Sequence, residues 1–426
     1  MEVHPLTAVQ RSGQYERVRS WLNIDFKKRL NSPSQPIWER RADHHRNLSQ
    51  RWSRRIKGKL FRTAFTIPGT VERLRNIERE MVWPHTNLRE IDRHIASLKP
   101  DAAFSLTPFI PSEEMALRSC AERKIPVLAS ILSFDNIVAH PWIPGLFDKY
   151  MVWNRYNADE LMRGYPEVSD EMIRIVGSPQ FDFYRDRRYY WPETEWRKEV
   201  GLPSDRQVIL FGGGHYFCAP HEPTFLLQLD RAIENNEIPR DTLILFRCHP
   251  VDPIERWLPV LNETKHVIRD DPWRRGAIAG HANIQSYDIQ KLTSTLLHTA
   301  VHVNVASTMS VDGAFLDRPL VGPAYDDSPG RRFDRSAREL YLQEHYLPIT
   351  NSGGLEIVHS REEFIRAVRA GLGDSHRLSE GRRNIVREIC SYDDGRCTER
   401  VVRGLESFLH PSLDFDQEIA VLSGRV

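Results

Sequence analysis

From about residue 88 onward the apolar positions alternate between short β-type runs and segments of helical spacing. Leu88 to Leu98 predicts a helix, Asp101 to Leu106 a strand, Ser112 to Arg123 a helix and Pro126 to Ile131 a strand. A strand follows at Lys149 to Trp153, then a helix from Asn154 to Arg163 capped by Asn154, then a strand at Ile173 to Val176 that ends in Gly177-Ser178-Pro179. A second series starts with a strand at Gln207 to Gly212, a glycine-rich loop through His215 and a helix from Glu222 to Asn235. It continues with a strand at Thr242 to Arg247, a helix from Ile254 to Leu261, a weaker strand near His266 and a helix from Ile289 to Leu297. Val303 to Gly322 reads as a strand, a hydroxyl-rich turn, a helix of about two and a half turns and a second strand opened by Pro319. Helices close the chain at 360–372 and 398–409. Strands alternating with helices imply parallel sheets covered on both faces, so the expected fold is α/β with two Rossmann-like domains, residues 1–186 and 187–426. The charged stretch 185–205, with Pro192 and Pro203 around one short helix, is the expected linker.

Residues 1–80 carry helical periodicity and little that resembles a strand. Within 51–62, Trp52, Ile56 and Leu60 recur every four residues while Arg51, Arg54, Arg55, Lys57, Lys59 and Arg62 cover the rest. That is a basic amphipathic helix, which either lies on anionic lipid head groups or docks on its own domain with a solvated basic face. Charge is uneven in the same sense. Residues 1–100 hold 21 Lys and Arg against 10 Asp and Glu, a surplus of +11, and the net of +1 leaves −10 for the remainder. An anionic partner would therefore be met at the front, although no nucleic-acid motif accompanies the charge and no nucleic-acid partner is expected.

At 426 residues and 40% hydrophobic composition the chain can bury two ordinary cores. Its five cysteines are scattered without a CxxC pair, which favours neither a disulfide framework nor a zinc ribbon and fits a reducing compartment. The first twenty residues lack the apolar core of a signal peptide, and no run of 18 apolar residues occurs. A cytoplasmic protein, peripheral at the inner face of a membrane if the basic helix binds lipid, is the expectation.

Three loops follow carboxyl ends of strands in the second half: Gly212-Gly213-Gly214-His215, His249-Pro250 and Ser307-Thr308-Met309-Ser310. In open parallel sheets ligands bind at that edge. The glycines let backbone approach a phosphate, yet their spacing fits neither a P-loop nor GxGxxG, because Phe217 stands where a third glycine belongs. His249 is fixed by the following Pro250 and can donate to a phosphate oxygen or pair with a neighbouring carboxylate. The hydroxyls of Ser307, Thr308 and Ser310 fall where a helix begins, either an anion site or an ordinary capped helix. Asp312, one helical turn in, can accept from paired sugar hydroxyls or simply complement the helix's positive end. His215 and His221 bracket Cys218 without a carboxylate at ligand spacing, so no metal is expected.

Seven short motifs in order carry a resemblance: Ser133-Phe134-Asp135-Asn136, Trp153-Asn154, Val176 to Asp182, His249-Pro250, Ser307-Thr308 with Asp312 and Pro319, His345-Tyr346-Leu347-Pro348, and Asp394 to Val401. Together, over about residues 88–408, they resemble GT-B glycosyltransferases, in particular the bacterial surface-carbohydrate branch with CDP-glycerol glycerophosphotransferases and the CMP-Kdo and sialic acid transferases. The resemblance implies two Rossmann-like domains facing across a cleft and an enzyme of surface polysaccharide biosynthesis that needs no cofactor beyond a nucleotide-activated sugar donor. It further implies a glycan or lipid-linked acceptor met by the N-terminal domain. His249, Ser307 and Thr308 would hold donor phosphate, Asp312 the ribose, and 212–214 would lie under the diphosphate, with His345-Tyr346 shaping the floor.

If the reaction inverts at the sugar carbon, the acceptor hydroxyl needs a base, for which Asp135 is the candidate and His140 and Asp148 the alternates. The front of the chain departs from the pattern, since neither an opening strand nor a glycine-rich loop is evident before residue 88. Glycerophosphate transfer and sugar-nucleotide epimerisation on the same fold, and a catalytically silent nucleotide-binding scaffold, are the alternatives.

Overall fold

The computed structural model describes residues 8–43, 46–131, 133–144, 147–250, 252–270, 284–326, 335–410 and 412–413. It divides into two compact units, Met1–Ser178 with Cys397–Val426, and Pro179–Arg396. The division corrects the expected boundary at 186/187 in two ways. The first break falls at 178/179, and the expected linker 185–205 is packed into the second unit, because Trp196 is fully buried and its indole N–H donates to Thr295 Oγ1 at 3.0 Å. The last helix, Cys397–Leu409, returns to the first unit, where Val401, Leu405 and Phe408 pack on Leu128, Met151 and Val176.

The first unit holds a parallel sheet in sequential order, β1 (Ala103–Ser105), β2 (Val127–Ser130), β3 (Lys149–Val152) and β4 (Ile173–Ile175). No strand precedes Ala103 among the described residues; in its place stand five helices, α1 (Gly13–Leu30), α2 (Gln35–Ala42), α3 (Leu48–Ala64), α4 (Thr70–His85) and α5 (Leu88–Leu98). The front is thus rebuilt from helices and is part of the domain's core. Tyr15, Leu22 and Phe26 of α1 share one buried cluster with Val127, Ala129, Tyr150 and Leu161. A buried ionic cluster joins α1 and α4 to the helix Pro111–Glu122. Glu114 accepts a bidentate pair from Arg19 at 2.6 and 2.8 Å, a bond from Arg118 at 3.1 Å and one from Arg11 at 2.9 Å. Glu78 meets Arg118 and, at 2.6 Å, the Tyr15 hydroxyl.

The second unit is built on six parallel strands, β5 (Gln207–Gly212), β6 (Thr242–Arg247), β7 (Val267–Asp270), β8 (Val301–Asn304), β9 (Leu320–Pro323) and β10 (Leu355–Val358), in the spatial order β10-β9-β8-β5-β6-β7. Val208, Ile209, Leu210 and Phe211 are all buried, as a central strand covered on both faces requires. The sequence pattern leaves out β10, an edge strand of four residues whose Glu356 is ion-paired with Arg377. No helix of the described residues is long and apolar enough to cross a membrane.

Candidate active site

The order of the second sheet reverses at β5, which pairs with β6 on one side and β8 on the other. Gly212, at the carboxyl end of β5, is in register with Arg247 of β6 and Asn304 of β8. The loops after these three strands therefore emerge side by side at the switch point, where a parallel sheet opens a crevice for ligands. All three loops named from the sequence lie here.

The glycines do not act as the sequence suggested. The Gly213 N–H donates to Arg247 O at 2.9 Å and the Gly214 N–H to Glu222 Oε2 at 2.7 Å, so neither amide is open to a phosphate. None of the three glycines has a positive φ. Their value is closeness of packing: a Cβ on Gly212 would lie 2.3 Å from Met309 Sδ and one on Gly213 2.8 Å from the Trp257 ring. The expected cradle under a diphosphate is replaced by a tightly packed floor.

What the floor supports is a pair of imidazoles. His215 and His249 stand on adjacent loops with ring centroids 5.9 Å apart, edge to face. Burial, the neighbouring His215 and the Arg256 cation push the His249 pKa below the ordinary histidine value, against the attraction of Asp252. At neutral pH its ring is uncharged and carries one N–H donor and one acceptor nitrogen.

A buried polar hub fixes the two loops. The Arg256 guanidinium donates to Gly214 O at 2.8 Å, Ala219 O at 2.7 Å and Asp252 Oδ2 at 2.9 Å, and its plane lies 4.6 Å from the centroid of the Trp257 ring. Asp252 accepts the Tyr216 N–H at 2.7 Å and the Trp257 indole N–H at 2.8 Å. Glu222, fully buried, completes the hub. The sequence reading missed all three charged residues; the only signal was the Asp252–Arg256 spacing of four just after His249-Pro250.

Burial raises the Glu222 pKa to about 8, with Arg256 and the Gly214 N–H pulling the other way. The folded protein then binds a proton that the unfolded chain gives up near pH 4.5. Stability from this carboxyl is complete below pH 4.5 and is lost as pH rises to about 8, by about 1.4 kcal/mol per pH unit. Glu222→Gln is expected to flatten the fall in thermal midpoint between pH 6 and about 8, read by calorimetry across that range.

The turn after β8 divides its hydroxyls. Ser310 is buried and donates to Asn304 Oδ1 at 3.0 Å while accepting from the Tyr346 hydroxyl at 2.8 Å, so it ties the turn together and does not face a ligand. Asn304 Oδ1 also accepts the Ser307 N–H at 3.0 Å. Ser307 Oγ accepts the Met309 N–H at 3.3 Å and keeps its own proton to donate, and Thr308 is exposed with no hydroxyl partner among the described residues. The helix that follows is short, Met309–Phe315. Asp312 accepts the Tyr184 hydroxyl on Oδ1 at 2.7 Å, and burial holds its carboxyl up at about 6. Tyr346→Phe is expected to cost about 1 kcal/mol and to loosen this turn, measurable as a lower unfolding midpoint.

In the first unit Asp135 follows the carboxyl end of β2 and accepts the Ser133 hydroxyl at 2.6 Å. His140 is stacked on Phe109 at 4.8 Å. Asp148 is a structural residue: it precedes β3 at the amino edge of the sheet and accepts the Val127 N–H at 2.7 Å, which removes it as a base. Pro250 is half-buried beside His249, and Tyr346 is buried where His345-Tyr346 was expected to form a floor. Among the described residues no group of three or more His, Cys, Asp or Glu is placed to hold a metal ion.

Two parallel α/β units, the second with a switch-point crevice beside a histidine pair, are the parts of a GT-B fold. Residues 146–407, more than half of the chain, match the model of the CDP-glycerol:poly(glycerophosphate) glycerophosphotransferase family, and the chain belongs to that family. It is accordingly a nucleotide-dependent transferase of wall and surface polymer biosynthesis. No curated protein matches the sequence. Among solved structures, a putative UDP-N-acetylglucosamine 2-epimerase of Listeria monocytogenes is similar at a TM-score of 0.51 and 13% identity, covering 77% of this chain and 78% of that one. The S. aureus MnaA–UDP complex is similar at 0.51 and 12%, covering 76% and 80%. The wall teichoic acid polymerase TagF, soaked with CDPG as an H444N variant, is similar at 0.44 and 17%, covering 70% and 69%.

Proposed function

We propose that the second unit binds a cytidine nucleotide-linked donor and that the chain transfers the donor's glycerol phosphate to a hydroxyl of a glycan or lipid-linked acceptor. The observation that carries this reading is the His215–His249 pair, locked by a buried hub beside the Ser307-Thr308 turn at the point where the sheet order reverses. The family match supports the donor class. In the transfer an acceptor oxygen forms a bond to the phosphorus that bears glycerol, the P–O bond to the nucleotide breaks, and the nucleotide monophosphate leaves with the electron pair. The neutral His249 ring donates to the departing phosphate, joined by the Ser307 and Thr308 hydroxyls, and a fixed donor there lowers the barrier because it needs no reorganisation. Asp312, with Oδ2 outside any bond among the described residues, takes the ribose hydroxyls. Asp135 is the proposed base for the acceptor proton, from the first unit.

Transfer of a sugar from a nucleotide-activated donor is the second reading, favoured by the carboxylate of Asp312, a sugar-hydroxyl acceptor in the same turn. Thermal unfolding of the purified chain with CDP-glycerol, CMP, CDP, UDP, UDP-N-acetylglucosamine and NAD distinguishes the two. Stabilisation by CDP-glycerol and CMP supports the first reading, a shift from UDP-N-acetylglucosamine alone the second, and a shift from NAD alone or from no nucleotide overturns both.

A further inference from the structure

Phe217 stands where a dinucleotide loop would carry its third glycine, and its ring has a use of its own. The Phe217 N–H donates to His215 Nδ1 at 3.3 Å, which leaves Nε2 of a neutral His215 to carry the proton. The ring's partner comes from across the sheet. The guanidinium carbon of Arg335 lies 5.1 Å from the centroid of the Phe217 ring. Arg335 follows β9, and in the sheet β8 lies between β9 and β5. A residue after β9 that meets the loop after β5 has therefore bridged the turn after β8, the one that carries Ser307 and Thr308.

The segment that begins at Arg335 is fastened to that same turn. Ser336 and Ala337 are buried, and the Ala337 N–H donates to Asp326 Oδ1 at 3.1 Å. Further along, the Tyr341 hydroxyl accepts the Ala306 N–H at 3.2 Å and donates to Asn304 O at 3.3 Å. Ala306, immediately before Ser307, holds a φ of +45°, a left-handed conformation that an alanine keeps only where its surroundings fix it. One frame thus sets both the Ser307-Thr308 hydroxyls and the guanidinium beside them.

The groups assigned above to the donor's phosphates, His249 and the two hydroxyls, are neutral hydrogen-bond donors. They orient a diphosphate without cancelling its negative charge. Arg256, the cation of the hub, is answered from beneath by Asp252 at 2.9 Å. Arg335 brings a permanent charge to the rim of the same crevice, and a guanidinium presents its N–H groups as a planar fork that matches phosphate oxygens.

We propose that Arg335 reads the charge of the donor: its guanidinium pairs with the diphosphate held over the Ser307-Thr308 turn, so that the site selects a nucleoside diphosphate ester against an uncharged nucleoside. The assignment rests on the donor reading above and adds to it the residue that sets the phosphate requirement.

The test is isothermal titration of the full chain with cytidine, CDP, CDP-glycerol, uridine and UDP, for wild type, Arg335→Met, Arg335→Lys and Phe217→Leu. Wild type is expected to bind CDP and CDP-glycerol at least about tenfold more tightly than cytidine, with a preference that falls as salt rises. Arg335→Met is expected to weaken both by about tenfold to a hundredfold and to leave cytidine unchanged. Arg335→Lys keeps the charge without the fork and is expected to recover part of the loss. Phe217→Leu is expected to shift affinity in the same direction by about threefold. An Arg335→Met chain that retains the preference for CDP over cytidine overturns the assignment and leaves the donor reading standing. So does one that loses cytidine and CDP alike with a lower unfolding midpoint, the mark of a purely structural residue. Wild type that binds UDP in place of CDP refutes the cytidine donor instead, and Arg335 is then judged by the same ratio of UDP to uridine. Failure of wild type to bind any of these ligands overturns both.

Discussion

His249→Ala is expected to lower kcat for transfer by about a hundredfold to a thousandfold, the usual consequence of removing one preorganised donor from a developing oxyanion. The ring's surroundings make the size of this effect a consequence of position. Glu222, Asp252 and Arg256 fix both loops from beneath, so His249 is aimed before substrate arrives and no reorganisation is paid at the moment of transfer. Because its pKa is lowered, the ring is neutral at pH 7, and it acts by donating one hydrogen bond rather than by holding a permanent positive charge. The expected split is therefore a large loss in kcat with a small change in KM, since a neutral donor gains most when charge builds on the leaving phosphate. His249→Gln, which restores a donor of similar reach, is expected to recover part of the loss. A fall in nucleotide affinity equal to the fall in kcat would instead make His249 a ground-state binding residue.

Arg256→Ala separates aim from chemistry at the same place. The guanidinium bonds Gly214 O, Ala219 O and Asp252 at once. Its loss acts on His249 both through the loops and by removing a cation that holds the ring's pKa down, and its signature is a change in the pH dependence of transfer along with reduced stability.

How much of this was legible in the chain depends on where each residue's partner lies. The strands of the second sheet were legible because burial on both faces forces a continuous apolar run such as Val208 to Phe211. The convergence of the 212–215, 249–250 and 307–310 loops follows from that alone, since parallel strands put every such loop at one edge. β10 was missed because an edge strand with Glu356 in its middle has neither the length nor the run. The Gly212-Gly213-Gly214 loop was misread for a reason of principle: a phosphate cradle and a close helix crossing both demand the absence of a side chain, and only the position of Met309 and Trp257 decides between them.

The hub was hidden because Glu222, Asp252 and Arg256 look in sequence like solvated charges. Their desolvation is a property of three loops folded together. Ser310 failed in the same way, its hydroxyl turned inward to Asn304 and Tyr346 while Thr308, two residues earlier, faces solvent. The surplus of +11 over residues 1–100 was visible as a total, but its division was not. Arg11 and Arg19 spend their charge on Glu114 and Glu78, inside the domain, and Arg54 of α3 pairs with Asp43, while Arg55, Lys57 and Lys59 of the same helix face solvent.

That internal division predicts the largest stability effect. Glu114→Ala is expected to destabilise the first unit by about 3–5 kcal/mol, because it removes the acceptor of four hydrogen bonds and strands the buried Arg19 and Arg118 with Glu78 as the remaining anion. For a domain of this size that is a fall of about 10 °C in its unfolding midpoint, a large part of a total stability of about 5–15 kcal/mol. Two units are expected to give two calorimetric transitions, and only the one insensitive to nucleotide should move. The cost is that of an uncompensated charge and not the net worth of the ion pair, since taking both partners out of water is itself expensive. The double replacement Arg19→Met/Glu114→Leu is therefore expected to recover much of the loss, leaving Arg118 with Glu78. If the double variant is as unstable as Glu114→Ala, the cluster supplies net stability, and the ion pairs themselves hold the helical front to the sheet.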